Sequence, residues 1–231
     1  MSFVARCLGI VIAFAIMTAF AHAAGLSTLT QRDAAAGLKD ALSQSAEKAV
    51  AQLGATDGFL GNPKVKIPLP ESIHRVERSL RRFGMGEQAD ELVTRMNRAA
   101  EMAAKEAKPI LVDAVRRMTL ADAKNILTGG DTAATDFFRR TTSVSLAQRF
   151  LPIVREMTAK VRLAEHYDSI AGPASRMGLI DEREAHLDQY VTQKALDGLF
   201  LVIGEKEKEI RRDPVGAATG LARRVFGMLA R

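Results

Sequence analysis

Apolar residues recur three to four positions apart along most of the chain, and that spacing predicts helices. Between Thr30 and Leu53 they fall at Leu38, Leu42, Ala46, Val50 and Leu53, a single stripe that closes at Gly54. A second stripe, Ile73, Val76, Leu80 and Phe83, starts after Pro70 and ends at Gly84; its opposite face carries His74, Arg75, Arg78, Arg81 and Arg82. The third begins near Glu87 with Leu92, Met96, Ala99, Ala100 and Ala103, and resumes after Pro109 through Ile110, Leu111, Ala114, Val115 and Met118. A proline within a helical pattern removes a hydrogen bond and clashes with the preceding turn, so a bend is expected at Lys108-Pro109. The small side chains of "NRAAEMAAKEA" predict close approach of another helix there.

From Asp131 to Arg162 a long helix, or a pair of helices, is expected through Phe137, Phe138, Leu146, Phe150, Leu151, Val154, Met157 and Val161, with interruptions around Thr141 to Ser145 and at Pro152. The segment "AGPASRMG", Ala171 to Gly178, reads as a linker. Leu187 to Arg212 is a further helix whose middle, "ALDGLFLVIG", is apolar nearly all round and should be the central buried element. Its end pairs Glu207 with Arg211 at i,i+4, which predicts a solvated last turn. Pro214 stops it, and Val215, Ala218, Leu221, Ala222, Val225, Phe226 and Leu229 form a terminal amphipathic stretch. No alternating strand pattern and no fixed-period repeat is found. The fold class is all-α, with one multi-helix domain expected over residues 24–231.

Two stretches break the helical pattern. Ala55 to Pro70 is long for a connection within a compact domain, and loops of that length tend to be functional or to cover the core. Gly58 and Gly61 permit positive φ, Asn62-Pro63 marks a turn, and Val65, Ile67 and Leu69 alternate with Lys64, Lys66 and Pro68. The expectation is an extended strap over about residues 55–70 with its apolar side on the helices, acting as packing, as a lid, or as one wall of a ligand groove. The second stretch, "MTLADAKNILTGGDTAATDFFRR", is rich in Thr and Asp. Thr119 with Asp122 has the form of a capping box, Gly129 suits the following helix end, and Asp131 suits the next N-cap. Capping leaves Asn125, Thr135 and Asp136 without a role, which makes them candidates for an inward-facing polar site.

Composition adds a compartment. Arg6, an apolar run of 14 residues from Cys7 to Phe20, and Ala21-His22-Ala23 have the order of a secretory signal peptide, so residues 1–23 are expected to be removed after Ala23 and the chain to be periplasmic. The run is shorter than the roughly 18 to 20 residues that span a bilayer. Cys7, the one cysteine, would leave with it, and the net charge would fall from +6 to +5. Export and the scarcity of aromatic side chains argue against nucleic acid as a partner. A mildly basic chain permits weak attraction to anionic headgroups, for which Arg75, Arg78, Arg81 and Arg82 are the candidate face.

Motifs for defined chemistry are sparse. His74, His166 and His186 sit in no zinc-binding spacing, and "DTAATD" lacks the ligand spacing of a calcium loop, so no metal or cofactor is expected. There is no G-x-S-x-G and no glycine-rich phosphate loop. Carboxylates beside apolar stretches, Glu101, Asp122, Asp131, Asp136 and Asp197, leave acid/base catalysis open as an alternative. Asp197-Gly198 within an apolar helix calls for an ion-pair partner, with Arg139, Arg140, Arg211 and Lys66 as candidates, and for a close backbone approach at the glycine. The candidate ligand-binding set is Asp57, Lys66, Asn97, Glu101, Asp122, Asn125, Thr135, Asp136, Arg139, Asp197 and Arg211.

Four blocks, "DGFLGNPKVKIPLP" from Asp57, "MNRAAEMA" from Met96, "MTLADAKNILTGGDTAATDFFR" from Met118 and "ALDGLFLVIGEKEKEIRRDP" from Ala195, occur in an order that resembles a bacterial domain-of-unknown-function family, number 4197. The resemblance implies an exported, all-helical envelope protein and carries no catalytic residues with it. The functional expectation is non-enzymatic binding of a partner protein or an apolar ligand through the strap and its neighbouring helices. The alternatives are a hydrolase or lyase using Glu101, Asp122 and Asp197, and a peripheral binder of anionic envelope lipid.

Overall fold

The stripe of Leu38, Leu42, Ala46, Val50 and Leu53 forms one face of the first helix, and all five side chains are buried. The computed structural model of the chain describes residues 31–71, 86–159, 164, 167, 176 and 186–213. Within them lie six longer helices: α1 (Gln31–Gly54), α2 (Gly86–Lys105), α3 (Ala107–Arg117), α4 (Leu120–Thr128), α5 (Ala133–Thr158) and α6 (Leu187–Arg212). There is no strand among the described residues, so the all-α assignment holds. The signal-peptide region, the arginine-rich face from Arg75 to Arg82 and the terminal amphipathic stretch lie outside the described residues. So does most of the Ala171 to Gly178 linker, of which Arg176 alone is described, as helical.

One hydrophobic cluster joins all six helices and the strap. Helix α5 packs against α2, α3, α4 and α6, while α1 packs against α2, α3, α4 and α6. Helices α5 and α6 run antiparallel, since Arg155 near the end of α5 pairs with Asp188 at the start of α6 and Thr135 near the start of α5 meets Gly204. The alanine face of α2 is fully used: Ala99, Ala100, Ala103 and Ala104 are all at 0% exposure, and their small side chains let the neighbouring helices pack closely.

Three boundaries differ from the sequence reading, each for a local reason. The break between α2 and α3 is at Glu106, earlier than the expected Lys108-Pro109 bend. A proline ring clashes with the carbonyl four residues before it, here Lys105, so the helix ends there and Pro109 falls in the first turn of α3, where its missing N–H costs nothing. Helix α5 continues through both expected interruptions. Thr141 and Thr142 return their hydroxyls to the Phe137 and Phe138 carbonyls at 2.7 and 2.6 Å, the local bonding that lets Thr remain in a helix. Pro152 is on the exposed side, where the carbonyl left without a donor is open to water.

The third difference concerns caps. Thr119 and Asp122 do form a reciprocal capping box at the start of α4. Hydrogen bonds from the Thr119 hydroxyl and then its backbone N–H hold Asp122 below the usual carboxylate value of 3.8, with burial opposing and Arg140 assisting. A depressed folded-state pKa means that the stabilisation is complete above the ordinary carboxylate range and is lost as pH falls through the lowered value. Asp122→Ala should therefore cost ~1 kcal/mol at pH 7, and equilibrium unfolding at decreasing pH should show the gap from wild type close below pH ~4. Asp131, by contrast, is not the next N-cap: Thr132 takes that position and makes no side-chain capping bond. The partner that replaces it comes from α6.

Candidate functional site

The strap alternates as expected, with Val65, Ile67 and Leu69 buried and Lys64, Lys66 and Pro68 exposed. Its first half is not extended, however. Ala55 to Asn62 coils into tight turns, closed by Gly58 N–H to Ala55 O, Gly61 N–H to Asp57 O and Asn62 N–H to Phe59 O. Asp57 adopts a left-handed conformation at φ 66°, which Asp tolerates better than most residues with a side chain. Phe59, at 0% exposure, is driven from this coil into the core. There it meets Gly198 of α6, where a β-carbon would come within 2.7 Å of the Phe59 ring and 3.2 Å of Val65. The close approach expected at that glycine is made by the strap.

A backbone that belongs to no sheet must find other partners for its buried N–H and C=O groups. Two side chains of α2 supply them. Asn97, at 0% exposure, accepts from Ile67 N–H at 2.8 Å and donates to Ile67 O at 2.9 Å, standing in for a neighbouring strand. Its second amide hydrogen goes to Val93 O at 2.8 Å, so every donor of the amide is used. Glu101, 4% exposed, accepts from the N–H groups of Phe59 and Leu60, both at 3.2 Å. Arg98 balances the carboxylate, donating to Glu101 at 2.7 Å and to Asp57 at 2.8 Å. The Glu101 bond is the main reason that the Arg98 guanidinium is raised above its ordinary pKa, with desolvation opposing and Asp57 adding. Tyr190 of α6 completes the hold by donating its hydroxyl to Pro68 O at 3.1 Å.

A second clamp repeats the device. Glu207 of α6 accepts from Ala134 N–H and Thr135 N–H, both at 2.9 Å, and from the Thr135 hydroxyl at 2.8 Å. It is thus the missing cap of α5, supplied from more than seventy residues away. Arg211 donates to the same carboxylate at 2.9 Å and to Ile126 O at 2.9 Å, tying the end of α4 to α6. The Glu207–Arg211 pair is therefore buried, with side chains 5% and 14% exposed, and not the solvated turn that the charge run suggested. In both clamps a helix carries a carboxylate and an arginine one turn apart, and the carboxylate takes two consecutive backbone N–H groups of another element.

The candidate residues therefore separate. Asp57, Asn97 and Glu101 converge on the strap, and Lys66 stands on its exposed side. Thr135 and Arg211 converge on Glu207, while Asn125 and Asp136 point outward, so of the three residues expected to face inward, Asn125, Thr135 and Asp136, only Thr135 does. Asp197 is half exposed and lies 3.8 Å from Arg139, which stacks on Phe200; helix α6 keeps one solvent-facing line at Lys194, Asp197 and Leu201. The carboxylates proposed for acid/base work, Glu101, Asp122 and Asp197, are engaged by the strap, by Thr119 and by Arg139 respectively, and share no bonding partner. Among the described residues, no cluster of three or more His, Cys, Asp or Glu could hold a metal ion.

Arg98, Tyr190 and Glu207 were missed by the sequence reading. Glu207 had a usable signal, because it continues the Phe200 and Ile203 stripe at helical spacing. Arg98 had only its position one turn before Glu101.

The chain matches the model of a family described as a protein of unknown function, DUF4197, over residues 28–227. It belongs to that family. No curated protein and no solved structure matches it. The blocks that carry the resemblance to DUF4197 now have physical content: the first is the strap, the second holds Asn97 and Glu101, the third is the capping box with the start of α5, and the fourth bears Gly198, Glu207 and Arg211. In this DUF4197 chain, those four blocks are parts that meet one another.

Proposed function

We propose that this chain is an exported, periplasmic binding protein without catalytic activity of its own, which presents the outer face of its strap to a partner protein. Export is supported by the signal-peptide order of residues 1–23. Among the described residues no helix is long and apolar enough to cross a membrane.

The observation that carries the binding reading is the investment in the strap. Two buried polar side chains of α2, one of them a carboxylate, are spent on the backbone of a surface connection. Ordering a loop before binding removes that entropy from the association step, and functional loops on rigid scaffolds are a common arrangement. Nothing beneath the strap is left to open, since Phe59 and Ile67 are at 0% and 1% exposure, so a lid is disfavoured. The outer face instead offers Lys66, Lys64 held by Glu205 at 2.6 Å, and exposed Leu201. Shallow grooves of about 350 and 220 Å³ flank it, the first between the strap and Asp90, Val93 and Thr94, the second between the strap and Lys194, Asp197 and Leu201. Strand addition to the strap is not the mode, because Pro68 and Pro70 have no N–H and the Ile67 backbone is already paired.

A photo-crosslinking residue placed at position 66 in the full chain, expressed in the host that exports it, should give one discrete adduct in the periplasmic fraction. The same residue at Gln148 of α5 should give none. Equal labelling from both positions, or none from 66, would contradict the reading.

A further inference from the structure

Helix α4 is more apolar than its burial requires. Of Leu120, Ala121, Ala123, Ile126 and Leu127, only Ala123 and Ile126 are buried, and Leu120 keeps 53% of its surface exposed. Facing α4 is the first part of α1, where the side chains are the methyl groups of Ala34 and Ala35. Four alanines, at 34, 35, 121 and 123, cannot fill the space between two helices, and a groove of about 320 Å³ remains, walled by Leu120 and Leu127. This volume falls at the lower end of small-molecule sites, which run from about 300 to 1,000 Å³.

The lining fixes the chemistry of what fits. Among the described residues it has no aromatic ring on which a planar ligand could stack, and no carboxylate. The Thr128 hydroxyl is turned back onto the Lys124 carbonyl at 3.0 Å, so it is not a free donor. Among the described residues of the lining, the one charged side chain is Lys124, which is exposed. A narrow, aliphatic trough with one cation at its edge complements a single alkyl chain that ends in an anion. We infer that the α1/α4 groove is a binding site for a single-chain carboxylate amphiphile of fatty-acid type, its chain lying between Ala34, Ala35, Leu120 and Leu127 and its carboxylate on Lys124. The site is separate from the strap, and its occupancy does not depend on the partner proposed for that face.

The capping box at Thr119 and Asp122 contributes by fixing where α4 starts, which holds Leu120 at the mouth of the groove. The volume is of the size of one extended chain and not of the paired chains of a phospholipid, so the inferred ligand is a free acid.

The test is titration of the full chain with dansyl-undecanoic acid below its micellar concentration, with dodecanoate as competitor. Saturation at one probe per chain, reversed by dodecanoate, is expected. Ala121→Phe, a change at an exposed position that fills the trough, should abolish saturation while leaving the helical circular dichroism and melting curve of wild type. Lys124→Glu should weaken the carboxylate probe at least about threefold, as expected for reversal of an exposed charge pair, and leave dodecanol competition unchanged; Lys48→Glu, outside the groove, should alter neither. Absence of saturation, which would follow if the chain's own flanking segments or a second copy fill the groove, overturns the inference. So does binding that survives Ala121→Phe, and undiminished carboxylate binding by Lys124→Glu overturns the assignment of the head group.

Discussion

Glu207→Ala should lower the unfolding free energy by about 3–5 kcal/mol, the range for removing one partner of a buried charge pair. The substitution leaves the N–H groups of Ala134 and Thr135 without acceptors, strands the Thr135 hydroxyl, and leaves the Arg211 guanidinium with only the Ile126 carbonyl. In a chain of this size each kcal/mol shifts the melting temperature by roughly 2–4 °C, so a thermal melt by circular dichroism should move by about 6–20 °C. Glu207→Gln should recover part of the loss, because a neutral amide oxygen still accepts from the helix start but no longer balances Arg211. A Glu207→Ala variant within 1 kcal/mol of wild type would mean that Glu207 is not the cap of α5.

Asn97→Ala should cost about 2–4 kcal/mol, since the Ile67 N–H and C=O are left buried and unpaired and each such group costs ~1–3 kcal/mol. The more specific sign is local. Lys64 and Lys66 are trypsin sites in a segment that Asn97 and Glu101 hold down, so limited trypsinolysis should cut after these lysines faster in Asn97→Ala than in wild type. Asn97→Asp should be at least as damaging as alanine despite its near-identical shape: a carboxylate can accept from Ile67 N–H, but it faces the Ile67 and Val93 carbonyls with no hydrogen to donate. If Asn97→Asp is as stable as wild type, the amide is not standing in for a strand.

What could be read in the sequence follows from how local its cause is. The stripes of α1 and α2, the alternation of Val65, Ile67 and Leu69 and the Thr119–Asp122 box are set within a few residues, and the structure keeps each of them; the close contact at Gly198 is signalled locally by a glycine in an apolar run, although Phe59 and Val65 make it from far along the chain. The clamps are not local. Glu207 sits in "EKEKEIRR", a run whose composition describes a solvated helix end, and only the position of α5 across the bundle turns it into a cap. Asp197 shows the reverse: its apolar neighbours suggested burial, yet period 3.6 leaves one narrow line of a buried helix facing water, and Lys194, Asp197 and Leu201 occupy it. The α5 interruptions failed as expectations because Thr hydroxyls can bond to their own helix and because Pro152 faces outward, neither of which composition reveals.

Between the two clamps, α6 is the element on which both depend, with Tyr190 and Gly198 serving the strap and Glu207 serving α5. The functional reading rests on the strap being held in one conformation before any partner arrives. Native-state amide hydrogen exchange of the full chain addresses this directly. The amides of Phe59, Leu60 and Ile67 should exchange as slowly as those of Leu92 and Ala100 in α2, and far more slowly than those of Ala55 and Thr56 in the same connection. Exchange of Phe59, Leu60 and Ile67 at the rate of an unprotected loop would contradict the account of a preorganised strap.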